Sequence, residues 1–263
     1  MAKVKVCVLK TAGTNCDEET ALAFSKVGAK PDSVHINRLI EGKKDLLNYD
    51  ILVIPGGFTY GDDISAGKIL ANELRFRFID KIREFIRKKR LIIGICNGFQ
   101  VLVKAGILPG NRDFKQEVSL VTNDSAKFED RWVYLKLSTV NGIQKTRCIW
   151  ARDLPPIVYL PVAHAEGKFV ARDKDVLKRL KINNQIVFQY SDAEGRLLGY
   201  PYNPNGSQEN IAGICDETGR IFGLMPHPER HIDYLQHPHW CKRKEGDGLQ
   251  IFRNGVEFVR KSF

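Results

Sequence analysis

The chain has 263 residues, 43% hydrophobic and 27% charged, with a formal net charge of +10. That length suits one large α/β domain, or a domain with an insertion, whose core needs no metal or disulfide staple. No apolar run approaches the ~20 residues that span a membrane, and the positive charge would suit nucleic acid or an acidic partner without selecting either.

Six cysteines (7, 16, 96, 148, 215 and 241) include no Cys-x-x-Cys pair and follow no secretory leader, which points to reduced thiols in a cytoplasmic protein. Val4 to Leu9 reads as a first strand and Thr11 to Asn15 as the turn after it. A helix follows from Asp17, with Thr14 or Asn15 as its cap and Asp17, Glu18 and Glu19 loading its first turn. Cys16 therefore stands at a strand-to-helix turn as a candidate nucleophile, but those carboxylates are expected to raise its pKa. Ser33 to Asn37 and Asp50 to Ile54 are further strands, the second ending in Pro55-Gly56-Gly57-Phe58, where paired glycines let backbone N–H groups face a site. Gly61 to Lys68 looks like a P-loop and fails as one: five residues separate the glycines, and Ile69 replaces the Ser or Thr that would hold magnesium. From Arg75 to Arg90 basic residues alternate with Leu74, Phe78, Ile79, Ile82, Phe85 and Ile86 at helical spacing, predicting one amphipathic helix with a solvated basic face.

Leu91 to Gln100 carries the chemistry. The apolar residues Leu91, Ile92 and Ile93 run into Gly94-Ile95-Cys96-Asn97-Gly98 and then into the helical pattern of Val101, Leu102 and Ala105. Strand, tight turn and helix in that order form a nucleophile elbow, whose glycines are expected to allow the sharp turn that lifts the central side chain clear of the sheet. A thiol at a helix N-terminus is biased toward the thiolate that attacks carbonyls.

Beyond Gly106 to Gly110, which close that helix, the stretch from Glu117 to Val140 alternates and predicts antiparallel strands added to a parallel core. Residues 111–156 read as a possible insertion. Ile157 to Val162 and Lys168 to Val170 are strand-like around His164, Val176 to Leu180 is a short helix, and Gln185 to Tyr190, Ile211 to Cys215 and Ile221 to Met225 are strands. The alternation argues an α/β fold, a mostly parallel central sheet flanked by helices with added antiparallel strands, in a single domain over 1–263. The last strand runs into Pro226-His227-Pro228-Glu229-Arg230, where both side chains two apart on a stiff extended segment can leave the same side. A carboxylate beside an imidazole fixes its tautomer and stabilises the imidazolium, so Cys96, His227 and Glu229 make a nucleophile, a base and its orienter. His164, with Glu166 nearby, is the alternative base. His231, His237, His239 and Cys241 have ligand chemistry but no zinc spacing, so no metal is expected.

These residues resemble the class I glutamine amidotransferases, of flavodoxin-like architecture, and within them the glutaminase subunits of phosphoribosylformylglycinamidine synthase of purine biosynthesis. The resemblance rests on Gly13-Thr14-Asn15-Cys16-Asp17, Pro55 to Asp62, Gly94 to Gln100, Pro161 to Gly167, Asn203 to Ser207 and Pro226 to Arg230. Thr11-Ala12 before Gly13 and Ala165 depart from the family pattern. The resemblance implies that Cys96 attacks the glutamine amide, His227 shuttles the proton, Glu229 orients His227, the N–H groups of Gly57 and Asn97 hold the oxyanion, and Gln100 helps hold glutamine. It also implies ammonia transfer to a large ATP- and magnesium-dependent synthase subunit, with a small accessory subunit, no cofactor in this chain, and neither nucleic acid nor membrane as partner. Two readings of other classes use the same residues: a stand-alone cysteine hydrolase or peptidase, and a basic, non-catalytic binding module in which Cys96 would be unreactive.

Overall fold

In the computed structural model, which describes residues 3–110, 113–140, 143–144, 146–240 and 245–262, the chain builds one nine-stranded sheet with helices around it. The strands are β1 (Lys5–Lys10), β2 (Lys30–His35), β3 (Ile51–Ile54), β4 (Leu91–Ile95), β5 (Val118–Val121), β6 (Glu129–Leu137), β7 (Thr139–Val140), β8 (Ile143–Gln144), β9 (Ile157–His164), β10 (Lys168–Ala171), β11 (Ile186–Ser191), β12 (Ile211–Cys215) and β13 (Ile221–Leu224). The helices are α1 (Asp17–Lys26), α2 (Ile36–Ile40), α3 (Lys68–Arg77), α4 (Ile79–Arg87), α5 (Asn97–Lys104), α6 (Lys174–Ile182) and α7 (Leu249–Ser262).

The sheet runs β2-β1-β3-β4-β13-β12-β11-β6-β9. From β2 to β13 the strands are parallel, and from β13 to β9 each pairs antiparallel with the next. The hydropathy pattern gives the reason. β3 and β4 are apolar and buried at every position, as strands covered on both faces must be, whereas β9 alternates between half-buried and buried residues, as a strand with one wetter face does. The strand order changes direction between β1 and β3, so right-handed crossovers put α1 and the helices after β3 on opposite faces of the sheet. α1 packs against α7 through Phe24 and Phe252, with ring centroids 5.0 Å apart; α5 packs with α3 over β3, β4 and β13. In such sheets the loops at the carboxyl ends of the strands next to the switch point form the ligand crevice.

Four expectations change in detail. Neither Thr14 nor Asn15 caps α1; Cys16 occupies that position without a side-chain cap bond, because Thr14 Oγ1 accepts from the Thr11 N–H and Asn15 Oδ1 from the Cys16 thiol. The basic helix is two helices, broken at Phe78, which closes α3 and opens α4. Each half follows a different underlying surface, α3 lying on α5 and α4 on the turn Leu46–Asn48. The second strand ends at His35, where α2 takes over. Within 111–156, β6 lies inside the sheet between β11 and β9, while β5 pairs with β10 in a separate two-stranded sheet; Asn111, Arg112, Asn141, Gly142 and Lys145 lie outside the described residues.

Candidate active site

Four loops at the carboxyl ends of β1, β3, β4 and β13 converge on a cleft of about 210 Å³ lined by Asn15, Cys16, Gly57, Cys96, His227 and Arg230, among others. Phe58 and Phe128, whose rings stack with centroids 6.4 Å apart, stand half exposed at its edge. Sequence offers no signal for Phe128 or for Asp130, which also line it, since neither belongs to a motif.

Cys96 sits at the elbow with φ +51° and ψ −106°, a conformation that strains a non-glycine residue by about 1–3 kcal/mol. Its backbone is held by bonds from Cys96 N–H to Leu224 O (2.8 Å) and from Gln100 N–H to Cys96 O (3.1 Å). The left-handed turn is thus borne by the cysteine itself, and the flanking glycines serve another purpose than the one expected of them. A Cβ on Gly98 would lie 1.8 Å from Ile54 O, and one on Gly94 2.6 Å from Gly98 O. They let α5 start flush against β3 and β4. The thiol is 5% exposed and donates to Ala163 O at 3.6 Å.

His227 follows β13 and is pinned to β9 by its N–H, which donates to Pro161 O at 2.8 Å. The single turn Pro228–Arg230 then brings Glu229 back beside it, with His227 Nδ1 2.6 Å from Glu229 Oε1 and both side chains buried. Burial by itself disfavours the imidazolium. Burial is the largest single effect, but the charges of Glu229 and Cys96 and the hydrogen bonds with Cys16 and Cys96 together outweigh it and hold the His227 pKa well above its usual range. With Nδ1 engaged by Glu229, Nε2 is the nitrogen left to exchange a proton.

Gly57 lines the cleft at φ +138°, where a Cβ would meet Asn15 N at 2.7 Å. Asn97, as first residue of α5, has its N–H outside the helical ladder. Its side chain ties the β3 loop to the elbow: Oδ1 accepts from Thr59 N–H (3.3 Å) and Oγ1 (2.7 Å), and Nδ2 donates to Asp62 Oδ1 (3.1 Å). Gln100 is buried with its amide engaged at both ends, accepting from Asn97 Nδ2 at 3.0 Å and donating to Glu166 O at 2.5 Å. It braces the frame of the site. In the P-loop look-alike, Asp62 Oδ1 already accepts from Gly67 N–H at 3.1 Å.

Cys16 is closer to the chemistry than its sequence position foretells. Its sulfur lies 4.0 Å from His227 Nδ1 and accepts from Arg230 Nη2 at 3.1 Å. Its pKa is raised as expected, but chiefly by burial, with the charge of Glu229 acting in the same direction; the carboxylates of α1 point elsewhere, Asp17 to Lys10 and Glu19 to Arg230. His164 is buried with both ring nitrogens unpartnered, and burial together with the charge of His227 pushes its pKa down to about 3. Its neighbour Glu166 instead meets Lys104 and the Ala66 N–H. His231 and His237 are parts of a ring cluster with Trp132 and Tyr159, at centroid distances of 5.0 to 5.4 Å. His231 Nδ1 bonds to Tyr159 O and His237 Nδ1 accepts from His239 N–H, both at 2.8 Å; Cys241 lies outside the described residues.

A thiol elbow in the crevice of a doubly wound sheet, faced by a histidine–carboxylate pair from the next parallel strand, is the architecture of the class I glutamine amidotransferases. Residues 3–259 match the family of CobB/CobQ-like glutamine amidotransferase domains, and the chain belongs to that family. It is 46% identical over 265 residues to the phosphoribosylformylglycinamidine synthase subunit PurQ of Dehalococcoides mccartyi, covering 99% of this chain and 100% of that one. To the subunit of the same name from Methanococcus maripaludis it is 44% identical over 275 residues, covering 98% of each. Among solved structures, a chain of PurLQS from Thermotoga maritima superposes with a TM-score of 0.74 at 28% identity, over 98% of this chain and all of that one, 100%. Among the described residues no helix is long and apolar enough to cross a membrane.

Proposed function

We propose that Cys96, His227 and Glu229 hydrolyse glutamine to glutamate and ammonia, and that the ammonia serves an ATP-dependent partner converting formylglycinamide ribonucleotide to its amidine. The observation that carries the reading is the meeting of the elbow thiol and the His227–Glu229 pair in one small cleft. His227 Nε2 takes up the thiol proton, and the Cys96 thiolate of the resulting ion pair attacks the side-chain amide carbon. The oxyanion of the tetrahedral adduct is met by the N–H groups of Gly57 and Asn97. The imidazolium then gives its proton to the departing ammonia, leaving a glutamyl thioester. Water, deprotonated by the same nitrogen, attacks the thioester; the thiol is restored and glutamate leaves. Gln100 contributes by fixing Asn97 and the Glu166 backbone. A cleft of about 210 Å³ suits a single amino acid better than a peptide.

The relatives are named as subunits of phosphoribosylformylglycinamidine synthase, which supports placing ATP, magnesium and the acceptor on a large synthase subunit, with a small accessory subunit completing a cytoplasmic complex. In this reading the chain is one amidotransferase domain, with β6 of residues 111–156 built into its sheet, and it needs no cofactor of its own. The test is a reconstituted complex assayed for amidine formation from formylglycinamide ribonucleotide and ATP with either nitrogen source. Cys96→Ala is expected to abolish synthesis from glutamine and to leave synthesis from ammonium salts at high pH. Loss of both in a folded, assembled complex would overturn the division of labour.

A further inference from the structure

Cys16 is not used by the mechanism above, yet it is buried against the catalytic histidine. We infer that Cys16, His227 and Glu229 form a binding site for a thiophilic divalent cation of the Zn²⁺ type, at the Nδ1 edge of the imidazole and not at the Nε2 that serves Cys96.

Three observations carry this. Among the described residues, these three form a group whose ligand atoms all lie within 4.8 Å of one another, and all three side chains are buried. The individual spacings lie within about 0.7 Å of those of a small tetrahedral ion: with bonds of about 2.3 Å to sulfur and about 2.0 Å to nitrogen and oxygen, neighbouring ligands stand roughly 3.3–3.7 Å apart. Here Cys16 Sγ and His227 Nδ1 are 4.0 Å apart and Nδ1 and Glu229 Oε1 2.6 Å, so adjustments of side chains suffice. Second, Glu229 Oε2 is buried without a hydrogen-bond partner, which leaves an anionic oxygen for a cation to satisfy. Third, the backbone is shaped for this approach. A Cβ on Gly56 would come within 2.7 Å of His227 Cε1 and 3.1 Å of Cys16 Sγ, so glycine is what lets ring and thiol share the floor of the site.

Charge balance also holds. Arg230 donates to Cys16 Sγ and lies 3.4 Å from Glu19. A dication plus Arg230 is matched by the Cys16 thiolate, Glu229 and Glu19. The fourth position faces the cleft that Cys16 and His227 line, where water completes the tetrahedron. Binding displaces the thiol proton to solvent and moves the Nδ1 proton to Nε2, or to solvent. Resting on the triad reading, occupancy separates His227 from Glu229 and stops glutamine hydrolysis.

The test is independent of that activity. Chelator-washed, reduced protein is titrated with Co²⁺, following the thiolate-to-cobalt charge-transfer band, and then with Zn²⁺ in competition. Cys96→Ala is expected to keep the band and its affinity within about threefold. Cys16→Ala, Cys16→Ser and Glu229→Gln are each expected to weaken binding by more than the roughly 10–100-fold that loss of an outer-shell group costs. The chemically mild Glu229→Gln keeps the question open to measurement if a Cys16 variant fails to fold. No band in the wild-type protein, a band that survives Cys16→Ala, or one removed by Cys96→Ala would each overturn the site.

Discussion

His227 Nδ1 and Glu229 Oε1 lie 2.6 Å apart inside the protein, with exposures of 2% and 0%. The charge of Glu229 is the largest of the effects that raise the His227 pKa against the opposing pull of burial. A histidine whose folded pKa is raised contributes stability that is fully present below its unfolded value of about 6.5 and is lost as pH rises through the folded value. In chelator-treated protein, Glu229→Gln is therefore expected to lower the His227 pKa, read by imidazole NMR, and to flatten the fall in melting temperature between neutral and alkaline pH. A wild-type titration unchanged by the substitution would contradict the assignment.

The same pair predicts a graded loss of activity. His227→Ala removes the base and is expected to lower kcat for glutamine hydrolysis by about 10⁴-fold or more, whereas Glu229→Gln keeps the base in poorer orientation and costs about 10²–10⁴-fold. His164 has no carboxylate partner and a pKa pushed down to about 3, so His164→Ala is expected to act on packing and leave the slope of the pH profile alone. A steady-state pH profile of the three variants decides.

Cys16 and Cys96 line one cleft, so a glutamine-like electrophile meets both. Cys96 has the elbow and the unpartnered Nε2 of His227; Cys16 is the more deeply buried of the two, with a raised pKa. Peptide mapping is expected to find Cys96 labelled faster by on the order of tenfold or more, and His227→Ala is expected to slow Cys96. Labelling of Cys16 first would exchange their roles.

Gly98 has no room for a methyl group, since its Cβ would lie 1.8 Å from Ile54 O, whereas Gly42, at φ +70°, has nothing within 4 Å. Gly98→Ala is expected to destabilise the protein by about 3 kcal/mol or more through overpacking. Gly42→Ala is expected to cost only the left-handed backbone penalty, about 1–2 kcal/mol. Urea unfolding midpoints of the two variants give the comparison.

Asn97→Ala keeps the backbone N–H at the elbow but unties Thr59 and Asp62. It is expected to cost about 2 kcal/mol of stability. Drift of the loop that carries Gly57 is expected to lower kcat by about 10–100-fold, with the labelling rate of Cys96 by a small electrophile little changed. Equal losses in labelling and turnover would mean that the thiol itself had moved.

What the sequence determined by itself was local. Apolar runs of full burial at β3 and β4, the elbow at Cys96 and the Pro-stiffened spacing of His227 and Glu229 are patterns of a few neighbouring residues, and the backbone realises them directly. The tertiary structure decided whatever joins distant parts. The basic stretch becomes two helices because its halves rest on different surfaces, and Gly98 and Gly94 are glycines because α5 presses on β3 at the first and on β4 at the second, which no turn rule reveals. Cys16 looked like a capping-turn residue dominated by its own acidic neighbours. Only the convergence of four strand ends sets it beside His227 and Arg230, more than two hundred positions later in the chain (|i−j| 211 and 214). Charge and burial act through space, and sequence spacing carries no information about them until the sheet has closed.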